Sequence, residues 1–258
     1  MSTRLEEKAH RREERLEREQ AAAAAGARRR RLLILGAVVV SALGVLIAGI
    51  AISQSGSSGG GRTSADTQAV RTLFAGIPQK GNVLGKQDAP ATLVEYADLQ
   101  CPVCAAYTSD VLPTVLRDYV RAGRLNTELR LIPIIGPDSV PASRAAAAAS
   151  LQNRMWQFSD LFYRDQGVEN SGYVTDGFLG DLARATPGLN GSRALRQTGS
   201  APVTRLVNGW AASARAAGVN GTPTFFITPR GGTPAQLSGY QLEPGSFSAA
   251  LDSALRSK

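Results

Sequence analysis

The residues of this chain best suited to chemistry are Cys101 and Cys104, its only two cysteines, which lie in a Cys-Pro-Val-Cys sequence. A chain that places both of its cysteines in one Cys-x-x-Cys uses them for redox chemistry or to close one small loop. Pro102 fits the first position of a helix, where its missing N–H costs nothing. The Cys101 sulfur should therefore lie at a helix N-terminus, where backbone N–H groups and the positive end of the helix dipole favour a thiolate. A thiolate is the nucleophile of thiol–disulfide exchange, so this position suits that reaction.

The elements around the cysteines predict how the pair is held. The apolar residues just before it predict a buried strand over 91–97. After it, apolar residues recur at intervals of three and four up to Gly123 and predict a helix, which Pro113 should kink near Ser109. Alternating residues then predict a second strand over 125–135.

The second half of the chain predicts a helical block followed by a return to strands. Residues 139–217 contain no convincing strand, and Thr175 and Ser192 are candidate N-caps for helices within them. The other expected elements are a short helix over 67–74, an edge strand with turns within 77–85, strands over 221–228 and 235–240, and a helix over 246–256. This order predicts an α/β domain with a helical insertion between two strand regions.

The N-terminal part differs in composition from this domain, which we place at 67–258. Residues 1–31 carry ten Lys or Arg and six Glu and predict a solvated, charged cytoplasmic tail. Residues 32–52 are 21 residues without a charge, long enough to cross a bilayer as a helix of about 30 Å. Four arginines precede this segment and none follows until Arg62, which predicts a cytoplasmic N-terminus. A cleaved signal peptide is the alternative to such an anchor, although its apolar region should be shorter. The Ser/Gly-rich residues 53–66 predict a flexible linker.

Charge and residue content argue against other classes of function. The net charge is +8, and the only histidine, His10, lies in the N-terminal tail. The domain therefore cannot contain a Cys–His nucleophile pair or a Cys₂His₂ zinc site. No nucleic-acid-binding motif accompanies the basic charge. We expect no metal, no organic cofactor and no nucleic acid as a partner.

Three features together resemble the DsbA-like branch of the thioredoxin superfamily. They are the segment 94–104, the helical insertion, and the segment 218–226, in which Thr222-Pro223 precedes a strand. A Cys-x-x-Cys alone is weak evidence, because zinc sites and structural loops share it, but the combination is specific. The resemblance covers roughly residues 77–258. It implies a thioredoxin fold with an inserted helical subdomain, preceded here by one transmembrane helix.

The resemblance implies catalytic roles for four residues. Cys101 would be the exposed nucleophile that forms a mixed disulfide with the substrate, and Cys104 would be the buried thiol that resolves it. Pro223 would be the cis-proline beside the dithiol, a geometry that an X–Pro bond adopts at a cost of about 0.5–1 kcal/mol. Glu95, six residues before Cys101, would lie under the site and help to move the proton of Cys104. Burial would raise the pKa of Glu95 toward neutrality, as that role requires.

Three further residues would contact the substrate. The backbone of Thr222 would pair with an extended substrate chain, and Pro102 and Val103 lie between the cysteines. Val103 departs from the pattern of DsbA, which has histidine at this position. Valine donates no hydrogen bond and carries no charge, so we expect a less stabilised Cys101 thiolate and a less oxidising couple.

These inferences predict a thiol:disulfide oxidoreductase tethered to a bacterial cell membrane, with its catalytic domain outside the cytoplasm. As a dithiol oxidase it would pass the Cys101–Cys104 disulfide, its only redox group, to exported proteins that contain cysteine. A membrane quinone-linked protein of the DsbB or vitamin K epoxide reductase type would reoxidise it. The alternatives are a reductase or isomerase, or a non-catalytic tethered chaperone or binding module. For the cysteines themselves, a structural disulfide or a metal site remains an alternative, and we expect a monomer.

Overall fold

The computed structural model describes residues 62–256. The predicted charged tail at 1–31, the predicted membrane anchor at 32–52 and most of the predicted linker at 53–66 lie outside the described residues. None of the helices within 62–256 combines the length and the hydropathy that a bilayer-spanning helix needs.

A mixed sheet forms the centre of the described part of the chain. Its six strands, in chain order, are β1 (Gln79–Lys80), β2 (Val83–Leu84), β3 (Ala91–Ala97), β4 (Asn126–Leu131), β5 (Thr224–Pro229) and β6 (Ala235–Gln236). They lie in the spatial order β1-β2-β4-β3-β5-β6. Strand β3 is central, pairing parallel with β4 and antiparallel with β5. Its burial on both faces explains its nearly continuous apolar sequence.

Helices cover this sheet and fill the insertion. They are α1 (Arg62–Phe74), α2 (Pro102–Ala106), α3 (Leu112–Val115), α4 (Ser139–Ser150), α5 (Met155–Arg164), α6 (Asp176–Ala185), α7 (Gly191–Gln197), α8 (Ala201–Ala216) and α9 (Pro244–Arg256). The five helices from α4 to α8 form the predicted helical insertion between β4 and β5, which the structure confirms to contain no strand. The fold is thus the expected α/β thioredoxin-like arrangement with inserted helices.

The helix after the cysteines is irregular near the predicted proline kink. A π-helical turn, Tyr107–Val111, separates α2 from α3, and another, Leu116–Val120, follows α3. Pro113 has no N–H to donate, and its ring would clash with the carbonyl of Ser109 in a regular α-helix. The wider turn lies at this place, and there the Leu112 N–H bonds to the carbonyl of Tyr107, five residues back.

Three predicted boundaries differ in the structure. Helix α1 begins at Arg62, inside the predicted linker; further along it, Val70 and Phe74 are buried and the Thr67 hydroxyl donates to the carbonyl of Ala185, 3.2 Å away. Strand β4 ends at Leu131 rather than at 135. The two-residue strand β6 is shorter than the predicted 235–240.

The early end of β4 has a clear cause. Pro133 cannot donate to a ladder, and the next two N–H groups, of Ile134 and Ile135, donate to the carboxylate of Asp98 at 2.8 and 3.0 Å.

One predicted helix cap was wrong. The side chain of Asn190, not that of Ser192, caps α7 by accepting from the N–H of Arg193 at 2.9 Å. The first residue of the helix is Gly191, and a Cβ there would lie 2.9 Å from the backbone of Ala183. Helix α7 therefore begins where its backbone touches α6, a constraint that the local sequence does not reveal. Thr175 does cap α6, as predicted, through the N–H of Phe178.

An aromatic cluster supports the cysteine helix from below. The ring of Phe225 on β5 lies 4.6 Å from that of Tyr107 and 5.0 Å from that of Phe247 on α9, measured between centroids. All three side chains are buried. Aromatic pairs in such tilted geometries add to the free energy of burial. The end of α2 is thereby held against the centre of the sheet.

Candidate active site

Cys101 is the N-cap residue of α2, as its sequence context predicted. Its backbone is extended, and its sulfur accepts the N–H of Cys104 at 3.4 Å. The Cys101 thiol also lies 3.3 Å from the carbonyl oxygen of Thr222, to which it can donate. The pKa of Cys101 is lowered to about 6, and the largest cause is a hydrogen bond from the Cys104 side chain. Burial opposes this shift, and further hydrogen bonds from Thr222 and from the N–H groups of Cys104 and Val103 lower the pKa again. Cys101 is thus largely a thiolate at neutral pH.

Cys104 has the opposite character. It is completely buried, one turn into the same helix. Burial raises its pKa well above the ordinary value, and the neighbouring charges of Glu95 and Cys101 raise it further. Both cysteines are free thiols in this structure. The pair therefore combines a reactive thiolate with a protonated thiol in reserve.

Glu95 lies under the cysteines in an apolar setting. In the sheet it is flanked by Leu129 on β4 and Phe225 on β5, both buried. Its side chain is 1% exposed, and its Oε1 has no hydrogen-bond partner among the described residues. Burial raises its pKa to about 8, with a smaller contribution from the negative charge of Cys101. Such a carboxyl can give or take a proton near neutral pH.

The other predicted site residues surround Cys101. The Thr222–Pro223 peptide bond is cis, as the resemblance implied, and both residues are partly buried beside the sulfur. Pro102 and Val103 are exposed on the rim, Val103 by 47%. The residue Cys101 itself is less exposed than the resemblance implied, at 4%, because its sulfur turns toward the helix N-terminus and the Thr222 carbonyl.

The turn before the cysteines is held by Asp98, whose role the sequence analysis missed. Its carboxylate accepts the N–H of Gln100 at 2.9 Å as well as two N–H groups after β4. Its backbone carbonyl accepts the hydroxyl of Tyr163 on α5. A signal was present in the sequence, since an Asp that follows a strand often bonds to the N–H two residues on.

The segment after α5 holds the same turn from the other side. The Gln166 amide donates to the carbonyls of Leu99, at 2.7 Å, and Cys101, at 3.3 Å. The side chain of Gln100 donates to the Tyr173 hydroxyl and accepts the N–H of Asn170. These contacts join residues about 65–73 positions apart, and no local pattern in the sequence marks them. The helical insertion thus helps to position the nucleophile.

A dithiol at a helix N-terminus, a cis-proline beside it and a buried carboxyl beneath it define the thioredoxin class of redox sites. A family model described as Thioredoxin matches residues 78–237. The chain belongs to this family, within the DsbA-like branch of the thioredoxin superfamily.

Individual relatives agree with this assignment. Disulfide bond formation protein D of Bacillus subtilis is 34% identical over 110 residues, which cover 40% of this chain and 48% of that protein. The chain therefore spans about half the length of this relative. A thioredoxin-like oxidoreductase from Silicibacter pomeroyi has a similar structure, with a TM-score of 0.54 and 28% identity over 73% of this chain and 98% of that one. Oxidised BdbD from Bacillus subtilis shares the fold, with a TM-score of 0.59 and 22% identity over 70% of this chain and 97% of that one.

The lowered pKa of Cys101 yields a first prediction. In the reduced full-length protein, the rate of alkylation by iodoacetamide should rise with pH to a plateau, with its midpoint near pH 6. Mass spectrometry should find the label on Cys101 alone, because Cys104 is buried and protonated. Cys104→Ala should move the midpoint upward by removing a hydrogen-bond donor to the sulfur, whereas Cys104→Ser should largely preserve it. A midpoint near the ordinary thiol value of about 8.5 in the unaltered protein would contradict this account.

The raised pKa of Glu95 yields a second prediction, on stability. Between its ordinary value of 4.5 and about 8, the unfolded chain has released a proton that the folded protein still holds. Stability therefore falls as pH rises through this range, by up to about 3 kcal/mol at pH 7. Glu95→Gln should remove this loss, so the reduced variant should be more stable than the unaltered protein at pH 7 but not at pH 4. Urea unfolding at both values tests this, with exposed Glu169→Gln as the control. An equal change at both values would count against it.

Proposed function

We propose that this protein is an extracytoplasmic thiol:disulfide oxidoreductase that acts as a dithiol oxidase on exported proteins. The observation that carries the proposal is the pairing of a Cys101 thiolate, with a pKa of about 6, with a buried, protonated Cys104. A structural disulfide needs neither a lowered pKa nor an adjacent buried carboxyl, and a metal site needs further ligands. This arrangement separates a good leaving group from a reserve nucleophile, which is what reversible exchange requires.

The reaction follows from these two thiols. A substrate thiolate attacks the Cys101 sulfur of the oxidised pair, the Cys101–Cys104 bond breaks, and Cys104 leaves and takes a proton from Glu95. A second substrate thiolate then attacks the substrate sulfur of the mixed disulfide and releases Cys101 as the stabilised thiolate. Two electrons pass from the substrate dithiol to the enzyme dithiol, so the Cys101–Cys104 disulfide is the only redox group needed. The exposed Val103 and Pro102 and the backbone of Thr222 would contact the substrate chain.

Two observations favour oxidation over reduction. The relative from Bacillus subtilis bears the name disulfide bond formation protein D. The pKa of Cys101, about 6, lies between the values of about 7 for thioredoxin and about 3.5 for DsbA. A lower pKa stabilises the reduced form and makes the disulfide more oxidising. Val103 in the histidine position of DsbA accounts for a thiolate less stabilised than in that enzyme.

The proposed setting follows from the N-terminal sequence. The uncharged segment 32–52 would anchor the chain in a bacterial cell membrane with the domain outside. A membrane quinone-linked protein of the DsbB or vitamin K epoxide reductase type would then reoxidise the dithiol. A reductase or isomerase is the alternative within the same chemistry, and a non-catalytic binding module is the alternative outside it. Isomerases of this kind commonly dimerise, whereas we expect this protein to be a monomer.

Loss of Cys101 separates catalysis from binding. The purified full-length protein, oxidised beforehand, should speed the oxidative refolding of a reduced, disulfide-containing model substrate, and Cys101→Ser should abolish this effect. Cys104→Ser, mixed instead with the disulfide-bonded form of the same substrate, should accumulate a mixed disulfide: the Cys101 thiolate attacks the substrate disulfide, one substrate thiolate leaves, and the thiol that would resolve the adduct is missing. Non-reducing electrophoresis and mass spectrometry would detect that adduct. Refolding that survives Cys101→Ser would contradict the catalytic proposal in favour of a binding module.

The reduction potential distinguishes the directions. Equilibration of the full-length protein with glutathione buffers, followed by thiol labelling, should give a value in the range of about −120 to −180 mV that is typical of oxidants and isomerases. A value near about −270 mV would indicate a reductase. Val103→His should shift the potential further toward the oxidising end by stabilising the Cys101 thiolate, and no shift would contradict the role assigned to this position.

A further inference from the structure

A small cavity with both apolar and polar lining lies between the sheet, the cysteine helix and the helical insertion. It has about 10 Å³ of room for the centre of a water molecule, the lower limit for holding one. Its wall includes Glu95 from β3, Thr108 from the π-helical turn after α2, and four residues of α5, namely Trp156, Ser159, Asp160 and Tyr163. The cavity therefore joins Glu95 to the helical insertion.

Three side-chain atoms in this wall are buried without a hydrogen-bond partner among the described residues. They are Oε1 of Glu95, Oγ of Ser159 and Oδ2 of Asp160. The three residues are only 1–2% exposed. A buried polar atom without a partner is costly, and a buried water commonly bonds to two to four such atoms. All three atoms belong to residues that line this one cavity, which makes it the place for a water that bonds to them.

Asp160 also connects this cavity to the protein surface. Its Oδ1 accepts a hydrogen bond from the guanidinium of Arg164, one turn along α5. Arg164 is 33% exposed and lies 3.7 Å from Asp66 of α1, which is equally exposed. Burial raises the pKa of Asp160, and Arg164 opposes this effect. One water would therefore join Glu95 to a second buried carboxyl group, which is held by an arginine that reaches the surface.

Other groups near Glu95 do not offer a competing route of the same kind. The titratable or charged groups around it and around Tyr163 are Cys101, Cys104, Tyr107, Tyr163, Tyr240 and Asp98. The pKa values of the three tyrosines are raised, so they remain neutral near pH 7. The Asp98 carboxylate is occupied by three backbone N–H groups.

We propose that this cavity binds one water that bridges Glu95 to Asp160, and that the proton that Glu95 takes from Cys104 passes through this water to the carboxylate of Asp160 on the helical insertion. Asp160 is then a positioning residue for the proton transfer, with Ser159 as a third contact of the water. This inference rests on the proposed dithiol exchange.

The proton balance is simple. When the reduced enzyme is oxidised, Cys104 gives its proton to Glu95 and attacks the Cys101 sulfur of a mixed disulfide, which releases the other thiol as a thiolate. Glu95 then returns to its carboxylate form by passing the proton to the bridging water, which passes a proton on to the carboxylate of Asp160. When the disulfide is reduced, each step runs in reverse. No other oxidant or reductant takes part.

The test uses the full-length reduced protein and oxidised glutathione at a concentration at which closure of the Cys101–Cys104 bond limits the rate. Acid quench and mass spectrometry separate the glutathione adduct from the closed disulfide across a range of pH. Asp160→Asn should slow closure roughly tenfold and flatten its pH profile, and Glu95→Gln should slow it about a hundredfold, in keeping with the effects of proton-transfer groups. Alkylation of Cys101 should be unchanged in both variants, and Asp160→Asn in the Glu95→Gln background should add nothing.

Asp181→Asn, an exposed aspartate paired with an arginine on α6, is the matched control and should close at the rate of the unaltered protein. Unchanged closure in Asp160→Asn, an equal slowing of Cys101 alkylation, or an additive effect in the double variant would each overturn the relay. If Asp160→Asn does not fold, the presence or absence of the bridging water is the deciding observation. A high-resolution crystal structure of the unaltered protein should show it bonded to both carboxyl groups, and an empty cavity would overturn the proposal. If the unaltered protein forms no Cys101–Cys104 bond at all, the failure lies in the proposed function.

Discussion

The site depends on the hydrogen bonds that the Cys101 sulfur accepts at the start of α2. The N–H and the thiol of Cys104 already point at the sulfur, so the thiolate needs no rearrangement when it forms. This geometry requires the helix to begin at Pro102 and the turn before it to stay fixed. Asp98 fixes that turn through three N–H groups. A stabilised thiolate is also a good leaving group, so the same hydrogen bonds set both the reactivity of Cys101 and the ease with which it is released.

Hydrogen bonds lower the pKa of Cys101, whereas burial raises the pKa of the two groups beneath it, Cys104 and Glu95. Cys104 and Glu95 lie where a charge is poorly solvated, so burial raises the pKa of both. The charge of Cys101 raises both further, and the charge of Glu95 adds to the effect on Cys104. Such a pair keeps at least one proton over a wide pH range, because two negative charges close together in a buried place are unfavourable. In the proposed reaction, this proton moves between sulfur and carboxyl as the disulfide opens and closes. Near the start of the helix, Cys101 is thus a thiolate at neutral pH, Cys104 keeps its proton, and Glu95 titrates near pH 8, because their solvation and hydrogen bonds differ.

The helical insertion is part of this site. Tyr163 and Gln166 bond to backbone carbonyls of the cysteine turn, and Asp160 shares a cavity with Glu95. Helix α1 packs in turn against the insertion, with Asp66 near Arg164. A change in the insertion can therefore alter the chemistry of the cysteines without touching them. These contacts join the thioredoxin core and the insertion at the cysteine site.

The sequence by itself determined the parts of the protein that local rules control. A buried strand, a proline at the first helical position and a Cys-x-x-Cys place the Cys101 sulfur at a helix N-terminus. The Thr222-Pro223 pair before a later strand indicated the residues that lie beside this sulfur. The tertiary structure decided what depends on distant neighbours. It ended β4 early because Asp98 takes the next N–H groups, it shielded Cys101, and it brought Asp160 to Glu95. Desolvation and hydrogen-bond partners come from residues that only the fold brings together, so no local pattern could predict them.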